Sequence, residues 1–240
     1  MKKIKLIVIA VIAVIFTACT DDTNQYSTYY FTDSELNRAF RQCLELSSDT
    51  AIAHLCVPNS EEFGFYNYSD QVYRIGLPTT ANGMMDTLIA HGQGDLIDSL
   101  IQKTNLAASY CGSGLNSYFE GVFETMSFAD PYRILEGDSN AVTNYFILHH
   151  YNDLLAQSVV LMNLNMSIQG ATEAWNNVIN AYYQITGQVV SIDYTNFAAQ
   201  KMTNSILNEM KKEEALIRTL VSHRGDTTGK LYIVFGTLDQ

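Results

Sequence analysis

The sequence is poor in proline and cysteine, with 3 prolines and 4 cysteines among its 240 residues. Because proline interrupts helices and central strands, its scarcity favours long, regular elements. Cys19 belongs to the N-terminal signal described below, so Cys43, Cys56 and Cys111 allow at most one disulfide. On one continuous helix, Cys43 and Cys56 would lie about 20 Å apart, which is too far for a bond. We expect all three to be small buried apolar residues, and the sequence leaves open whether any two form a disulfide.

Basic residues are also scarce, with 14 Lys and Arg against 25 Asp and Glu and a net charge of −11. A protein that binds nucleic acid needs a basic surface to neutralise phosphates, so this composition excludes that class. Anionic lipid headgroups would repel so acidic a chain. Surface charge therefore does not hold this protein on a membrane.

The residue patterns of common catalytic and cofactor sites are missing. The sequence contains no HExxH, no paired CxxC and no GxSxG. Gly112-Ser113-Gly114 lacks the third glycine of a dinucleotide-binding motif, and residues 225–230 are too short for a phosphate-binding loop. We therefore predict no cofactor and no metal, and we favour a protein that is not an enzyme.

What the sequence does contain is an N-terminal export signal. Residues 1–19 read MKKIKLIVIAVIAVIFTAC, in which three lysines precede an apolar run from Leu6 to Phe16, and Thr17 and Ala18 precede Cys19. A cysteine directly after small residues is typical of bacterial lipoprotein signals, so we predict cleavage before Cys19 and attachment of lipid to it. The apolar run would cover only about 16 Å as a helix, which is too short to span a bilayer. We predict a lipid-anchored protein of the outer membrane, on its periplasmic side or on the cell surface.

The predicted processing divides the chain into three parts. Residues 1–19 form the signal peptide, residues 20–31 are mostly polar and form a flexible tether, and residues 32–240 form the folded domain. Cleavage removes three of the 14 basic residues and none of the 25 acidic ones, so the net charge of the mature chain is −14. A domain of this length has enough residues for a full hydrophobic core.

From Thr32 onwards, the spacing of apolar residues predicts helices and almost no strand. Thr32 and Glu35 form a capping box before a helix that ends near Leu55. Further helices are predicted at residues 81–91, 95–126, 128–135, 139–168, 171–185 and 194–221, with one last short helix in the tail. Glycines at 112 and 114 indicate a kink or two helices within 95–126, and Asp138 or Ser139 is the predicted cap of the next helix. Residues 72–77 and 188–192 have some β-strand character, but we expect an all-α domain of about seven helices.

One group of polar residues near the C-terminus is a candidate site. Glu214 and Arg218 are four residues apart on the last long helix, in the orientation that favours an ion pair. With Arg224, Thr227 and Thr228 they form a candidate polar cluster that ties the tail to this helix.

Histidines and tyrosines provide weaker candidates. His149 and Asp153 share one face of a predicted helix and His150 lies beside it, but a zinc site requires three or four ligands. We interpret these residues as a polar helix surface. Residues 58–80 form an aromatic loop, whose part from Phe63 to Tyr73 would, with the tether tyrosines, suit a sugar or a partner protein, but we favour a lid over the helical core.

The central and C-terminal parts of the sequence resemble a known family. Residues 126–146, MSFADPYRILEGDSNAVTNYF, are similar to the central signature of the bacterial lipoprotein family known as domain of unknown function 4197. Residues 203–207 depart from the family's Leu-Asp-Gly-Leu-Phe step, and Asp226 separates Arg224 from the two threonines of its closing motif. The resemblance implies a helical envelope lipoprotein, brings no established activity, and adds Asp130 to the candidate polar cluster. The matching residues are Met126, Phe128, Ala129, Asp130, Ile134, Leu135, Gly137, Thr143, Tyr145, Phe146, Glu213, Glu214, Ile217, Arg218, Arg224, Thr227, Thr228, Leu231, Val234, Phe235 and Gly236.

These features favour a non-catalytic, lipid-anchored binding or protein-interaction module of the cell envelope, for which another envelope protein is a candidate partner. Two alternatives stay open. The eight methionines and many aromatic residues would also suit a carrier that holds an apolar ligand in a cavity among the helices. A metal-dependent hydrolase would use His149 and His150.

Overall fold

The protein is built from α-helices joined by short connections. A computed structural model describes residues 30–60, 62–69 and 71–239, and the predicted signal peptide and nearly all of the predicted tether lie outside these residues. Over the described residues the chain forms nine α-helices and no strand, which confirms the expected all-α domain. The helices are α1 (Asp33–Leu55), α2 (Asn82–Ala90), α3 (Gly94–Ser109), α4 (Gly112–Thr125), α5 (Pro131–Leu135), α6 (Ala141–Ile168), α7 (Ala171–Thr186), α8 (Tyr194–Thr219) and α9 (Lys230–Gly236).

Helix α1 begins at the predicted capping box. The Thr32 hydroxyl accepts a hydrogen bond from the backbone N–H of Glu35 at 3.3 Å, and the Glu35 carboxylate accepts one from the N–H of Thr32 at 3.0 Å. One face of the helix carries Leu36, Phe40 and Leu44, which are all fully buried. The capping box therefore fixes the start of α1, and the apolar stripe fixes its orientation toward the core.

Helices α1, α6 and α8 form the centre of the domain. Helix α8 packs against both α1 and α6, and α1 also packs against α4 and α9. Helix α3 packs against α6 and α7, so the remaining helices surround the three long ones. The buried side chains form one continuous hydrophobic core, which agrees with the single domain that the sequence predicts.

The predicted helix at residues 95–126 is two helices. Helix α3 ends at Ser109 and α4 begins at Gly112, after a turn at Tyr110 and Cys111. A Cβ at position 112 would lie 2.9 Å from the Cβ of Cys56, so only glycine fits this close approach to the end of α1. Glycine at this position thus lets the start of α4 pack closely against the end of α1.

The two segments with β-strand character are irregular. The Ile75 N–H donates to Oδ1 of the buried Asn105 at 2.9 Å, and Nδ2 of Asn105 donates to the Ile75 carbonyl at 2.9 Å. This side-chain amide satisfies the two backbone groups that a neighbouring strand would otherwise bind. Residues 188–192 likewise form no strand pairing with the described parts of the chain.

The three cysteines of the domain are free thiols. Cys43 and Cys111 are buried and Cys56 is half-buried, close to the sequence-based expectation. Burial raises the pKa of all three thiols, that of Cys111 to about 12. None of the described helices combines the length and the apolarity that crossing a membrane requires.

Candidate functional site

Glu214 lies at the centre of the domain and binds the start of α6. Its side chain is fully buried, and its two carboxylate oxygens accept hydrogen bonds from the N–H groups of Val142 at 2.9 Å and Thr143 at 2.7 Å. Helix α6 begins at Ala141, so its N-cap residue is Asn140 and the predicted cap at Asp138 or Ser139 is wrong. The side chain of Asn140 makes no capping hydrogen bond. A carboxylate from α8 instead binds N–H groups of the first turn, where negative charge is favourable.

Arg218 joins the same carboxylate to the end of α5. Its Nε donates to Glu214 at 3.0 Å, and its two terminal nitrogens donate to the carbonyls of Leu135 at 2.8 Å and Ile134 at 3.1 Å. The guanidinium also lies 5.2 Å from the centre of the Phe235 ring in α9. One buried ion pair thus satisfies backbone groups at the end of α5 and at the start of α6.

Arg224 holds the end of α8. Its side chain is 1% exposed, and it donates to the carbonyls of Ile217 at 2.8 Å and Arg218 at 3.1 Å. Its Nη1 and Nη2 each donate to one carboxylate oxygen of Asp239 at 2.6 Å, and Nη2 is also the donor to the Arg218 carbonyl. The Arg224 hydrogen bonds lower the pKa of Asp239, and those same bonds raise the pKa of Arg224. The tail is therefore tied to the last turn of α8.

The structure brings together three of the six residues of the predicted polar cluster: Glu214, Arg218 and Arg224. Asp130 is exposed at the start of α5, with φ of 51°, and its side chain makes no capping bond there. Thr228 binds Asp226 through its N–H and its hydroxyl, both at 2.9 Å, and Thr227 is exposed. Within the described residues, no hydrogen bond joins Asp130, Thr227 or Thr228 to the other three.

Asp239 and the backbone partners of the cluster were not predicted from the sequence. Glu213 carries part of the family resemblance but was not predicted as a site residue; it is 8% exposed and accepts a hydrogen bond from Nδ1 of His223 at 2.9 Å. The sequence did contain a signal that Glu214 has buried partners, because Glu214 continues the apolar stripe of α8 four residues after Met210. An acidic residue at a core position indicates a buried partner. No comparable pattern in the sequence marks Asp239.

The two histidines of α6 lie beside a surface pocket of about 380 Å³. The ring of His149 lies 4.4 Å from the ring of Tyr145, and the ring of His150 stacks on Phe146 at 5.5 Å. No group of three or more His, Cys, Asp and Glu residues within the described part of the chain is arranged to hold a metal ion. The described residues therefore offer no set of metal ligands that would support the hypothesis of a metal-dependent hydrolase.

A second polar cluster lies where the aromatic loop meets α8. Glu209 accepts hydrogen bonds from the Tyr73 hydroxyl at 2.7 Å and from His54 at 3.3 Å, and it also pairs with Lys212. Despite burial, the bonds from Lys212 and Tyr73 lower the pKa of Glu209. These contacts, with the fully buried Phe65, hold the loop against the helices and fit the predicted lid.

The outer face of α6 is an unusual surface. Val160, Leu164 and Ile168 are 62%, 56% and 65% exposed. Residues four apart on a helix differ by only about 40° in direction, so these three, called the α6 stripe below, form one line. Apolar residues surround α6 almost evenly, and such a helix is normally buried on all sides. The α6 stripe is therefore a candidate docking surface.

The segment of chain that contains the α6 stripe carries almost no charge. Between Leu154 and Ile192, Glu173 is the one charged residue, although Asp, Glu, Lys and Arg make up 16% of the whole chain. Exposed neighbours on α6 such as Ala156, Asn163 and Ser167 are small or neutral. A partner that covers the stripe would not bury a charged side chain of α6 between residues 154 and 168.

Fold and site together define a helical domain whose buried charges join the ends of its helices. The chain belongs to the family described as "Protein of unknown function (DUF4197)", whose model matches residues 30–236. This match confirms the resemblance found in the sequence, and several residues that carry it, including Ile134, Leu135 and Thr143, bind Glu214 or Arg218 through their backbones. No curated protein and no solved structure matches the chain.

Proposed function

We propose that this protein is a lipid-anchored component of the bacterial cell envelope that acts by binding another protein. The lipid is attached to Cys19, and the helical domain presents the α6 stripe to its partner. The α6 stripe is the observation that carries the proposal, because its three aliphatic side chains are exposed in one line along α6. A role in binding accounts for this exposure, whereas an isolated domain would gain from burying the stripe.

The buried charges support the same interpretation. The hydrogen bonds of Glu214 and Arg218 go to each other and to backbone groups of α5 and α6. Both side chains are less than about a tenth exposed, so a substrate has no direct access to them. The most conspicuous charged residues of the domain thus have an architectural role, which leaves the surface as the functional part.

The lipid anchor is tested by the variant Cys19→Ser. In cells grown with a labelled fatty acid, the unmodified chain is expected to take up label and to sediment with the outer membrane. The variant should take up no label and should leave the membrane fraction. A Cys19→Ser chain that is still labelled and still sediments would contradict the anchor.

The binding face is tested by photo-cross-linking in cells. A photoreactive amino acid at Leu164, within the stripe, should give a discrete protein adduct. The same residue at Leu148 is the matched control, because Leu148 is 78% exposed on the same helix and points about 120° or more away from the stripe. Equal adducts at both positions, or none at either, would contradict a docking role for the stripe.

A further inference from the structure

A pocket of about 530 Å³ lies at the start of α1, directly after the predicted tether, and is called the α1 pocket below. Its volume is in the range of sites that hold small molecules. The side chains that line it are Asp33, Ser34, Asn37, Arg38, Arg41 and Ser127, which together carry two positive charges and one negative charge. The chain as a whole has a net charge of −11, so a pocket lined by net positive charge attracts an anion that most of the surface repels.

The α1 pocket contains hydrogen-bond donors that are available to a ligand. Arg38 is exposed, and its guanidinium makes neither an ion pair nor a hydrogen bond with another described residue. The hydroxyls of Ser34 and Ser127 likewise bind no other side chain or backbone group in the described parts of the chain. One cationic and two neutral donors therefore line the same pocket without a partner.

Arg41 is the fixed cation of the α1 pocket. Its Nε donates to the Met126 carbonyl at 2.7 Å, and its Nη1 donates to the Glu124 carbonyl at 3.0 Å. Its Nη2 has no hydrogen-bond partner among the described residues, and no carboxylate of those residues pairs with the guanidinium. Two carbonyls thus hold the group in place and leave its charge unpaired, so a ligand would bind it at a small cost in side-chain entropy.

The turn at residues 126–130, which contributes Ser127, is held by side chains from α1 and α6. Oδ1 of Asn37 accepts a hydrogen bond from the Phe128 N–H at 2.8 Å. The Tyr145 hydroxyl donates to the carbonyl of Ser127 at 3.4 Å. The backbone around Ser127 is therefore positioned before any ligand arrives, which is what a specific binding site requires.

We infer that the α1 pocket binds a phosphate group, with Arg38 and Arg41 as cationic donors and the hydroxyls of Ser34 and Ser127 as neutral donors. Guanidinium groups bind phosphate through several N–H donors at once, and arginine is enriched at such sites. A carboxylate presents two oxygens in one plane, whereas the oxygens of a phosphate point in tetrahedral directions. The donors of the α1 pocket come from two elements, α1 and the turn before α5, and this arrangement suits phosphate better.

The position of the α1 pocket indicates two sources of phosphate. From Cys19 to Asp33 the chain advances 14 residues, so a fully extended chain keeps the pocket within about 50 Å of the predicted lipid. Phospholipid headgroups are one source, and free inorganic phosphate is the other. The lipid source rests on the proposed anchor at Cys19, whereas binding of phosphate itself depends on neither that anchor nor the α6 stripe.

Equilibrium dialysis with radiolabelled inorganic phosphate tests the pocket, using the full chain in a neutral detergent at constant ionic strength. We expect about one phosphate per chain. Arg38→Gln should weaken binding about tenfold or more, because it removes a hydrogen bond between two charged groups. Lys201→Gln is the matched control, since it removes an exposed positive charge on α8 and should leave the affinity within about twofold. Circular dichroism of each variant checks that the helices are intact.

Asp33 provides a test in the opposite direction. Its carboxylate lines the same pocket and repels a bound phosphate. Asp33→Asn keeps the shape of the side chain and removes the charge, so it should strengthen phosphate binding several-fold. Damage to the start of α1 would weaken binding, so a gain in affinity separates the electrostatic effect from a loss of structure.

Competition against the labelled phosphate identifies the source. Glycerophosphoglycerol is the water-soluble headgroup of phosphatidylglycerol. If it displaces the label at concentrations equal to or below those of inorganic phosphate, the ligand is a lipid headgroup; if inorganic phosphate competes at much lower concentrations, the ligand is the free ion. Either result supports the inference.

Three results would overturn the inference: no saturable uptake of label, uptake that Arg38→Gln leaves unchanged, or equal losses in Arg38→Gln and Lys201→Gln. The last result would mean that phosphate responds to overall charge and has no site in the pocket. The experiments on Cys19→Ser and on cross-linking at Leu164 measure other properties, so a failure of phosphate binding is distinguishable from a failure of the proposed function.

Discussion

The carboxylate of Glu214 does more than pair with one arginine. Replacing both partners of a buried ion pair by apolar residues of similar volume often leaves the stability of a protein nearly unchanged, because the cost of burying two charges disappears with the pair. Here the pair also binds two N–H groups at the start of α6 and two carbonyls at the end of α5. Those four backbone groups stay buried when the charges are removed, and each unsatisfied group costs about 1–3 kcal/mol.

Glu214→Ala is therefore expected to lower the free energy of unfolding by about 3–5 kcal/mol, because it leaves Arg218 charged and buried without its partner. The combined replacement Glu214→Leu with Arg218→Met should recover little of this loss, since the backbone groups remain unpaired. Denaturant unfolding followed by circular dichroism measures both values. Glu120→Ala is the matched control, because Glu120 is exposed in the middle of α4 and its loss should change the free energy of unfolding by less than about 0.5 kcal/mol. If the double variant recovered the full free energy of unfolding, the loss in Glu214→Ala would come from the unpaired buried charge and not from unpaired backbone groups at the ends of α5 and α6.

At the scale of the elements, the connections are held by specific close approaches. The loop after α1 turns at Gly64, which has φ of 78° and lies against the end of that helix. A Cβ at this position would come 2.6 Å from the carbonyl oxygen of His54 and 2.7 Å from that of Leu55. The next residue, Phe65, is fully buried and donates its N–H to the Leu55 carbonyl at 2.9 Å. Gly64 thus lets the aromatic loop fold back on α1.

Gly64→Ala is expected to destabilise the protein by about 2 kcal/mol or more, because it combines left-handed backbone strain with a clash against backbone atoms. Gly76→Ala in the same loop is the control. A Cβ at position 76 meets no atom within 4 Å, and Gly76 is not among the residues with positive φ. Its replacement should therefore be neutral or slightly stabilising. Thermal unfolding of the two variants compares them, and similar melting temperatures would contradict the close approach at Gly64.

The elements also show where sequence reasoning succeeds and where it stops. Local patterns predicted α1 from its capping box and apolar stripe, and α7 and α8 to within two residues at each end. The start of α6 could not be predicted, because its cap comes from Glu214, about 70 residues later in the chain. The hydrogen bonding of the segment around Ile75 could not be predicted for the same reason, since its partner is the side chain of Asn105 on α3. Contacts between residues far apart in the chain determine the start of α6 and the structure around Ile75, and a local sequence pattern carries no information on such contacts.

The candidate site divides in the same way. The spacing of Glu214 and Arg218 predicted their pairing, and the structure shows it at 3.0 Å. Asp130 was predicted from the family resemblance alone, and Thr227 and Thr228 from their position near the tail; none of the three joins the buried cluster. The α6 stripe could not be predicted, because an exposed aliphatic residue and a buried one look alike in a sequence. The packing around α6 is needed to show which of its apolar residues stay uncovered by the described parts of the chain.

At the scale of the whole molecule, the excess of acidic residues makes stability depend on pH in two opposing ways. Burial and then the charge of Asp49 raise the pKa of Glu45, and burial followed by the charge of Glu120 raises the pKa of Asp49. These groups bind protons more readily in the folded state, so stability rises as the pH falls through their folded pKa values. The hydrogen bond from Lys230, with those from Thr32, lowers the pKa of Glu35 to about 2, and Arg224 lowers that of Asp239. Their contribution is present above the unfolded pKa of about 4 and is lost as the pH falls through the folded values.

The protein is therefore expected to be most stable in mildly acidic solution, with a higher melting temperature near pH 5 than near pH 7, and to lose stability below about pH 4. Relief of repulsion among the carboxylates of a chain with net charge −11 acts in the same direction on the neutral side. Melting temperatures measured across this range at constant ionic strength give the profile. The double variant Glu45→Gln with Asp49→Asn should flatten the rise between pH 7 and 5 and keep the loss in acid, whereas Glu35→Gln should weaken the loss in acid and keep the rise. A melting temperature that falls steadily from neutral to acid pH would mean that the paired carboxylates dominate, and that the crowding of acidic groups along α1 has little effect on the fold.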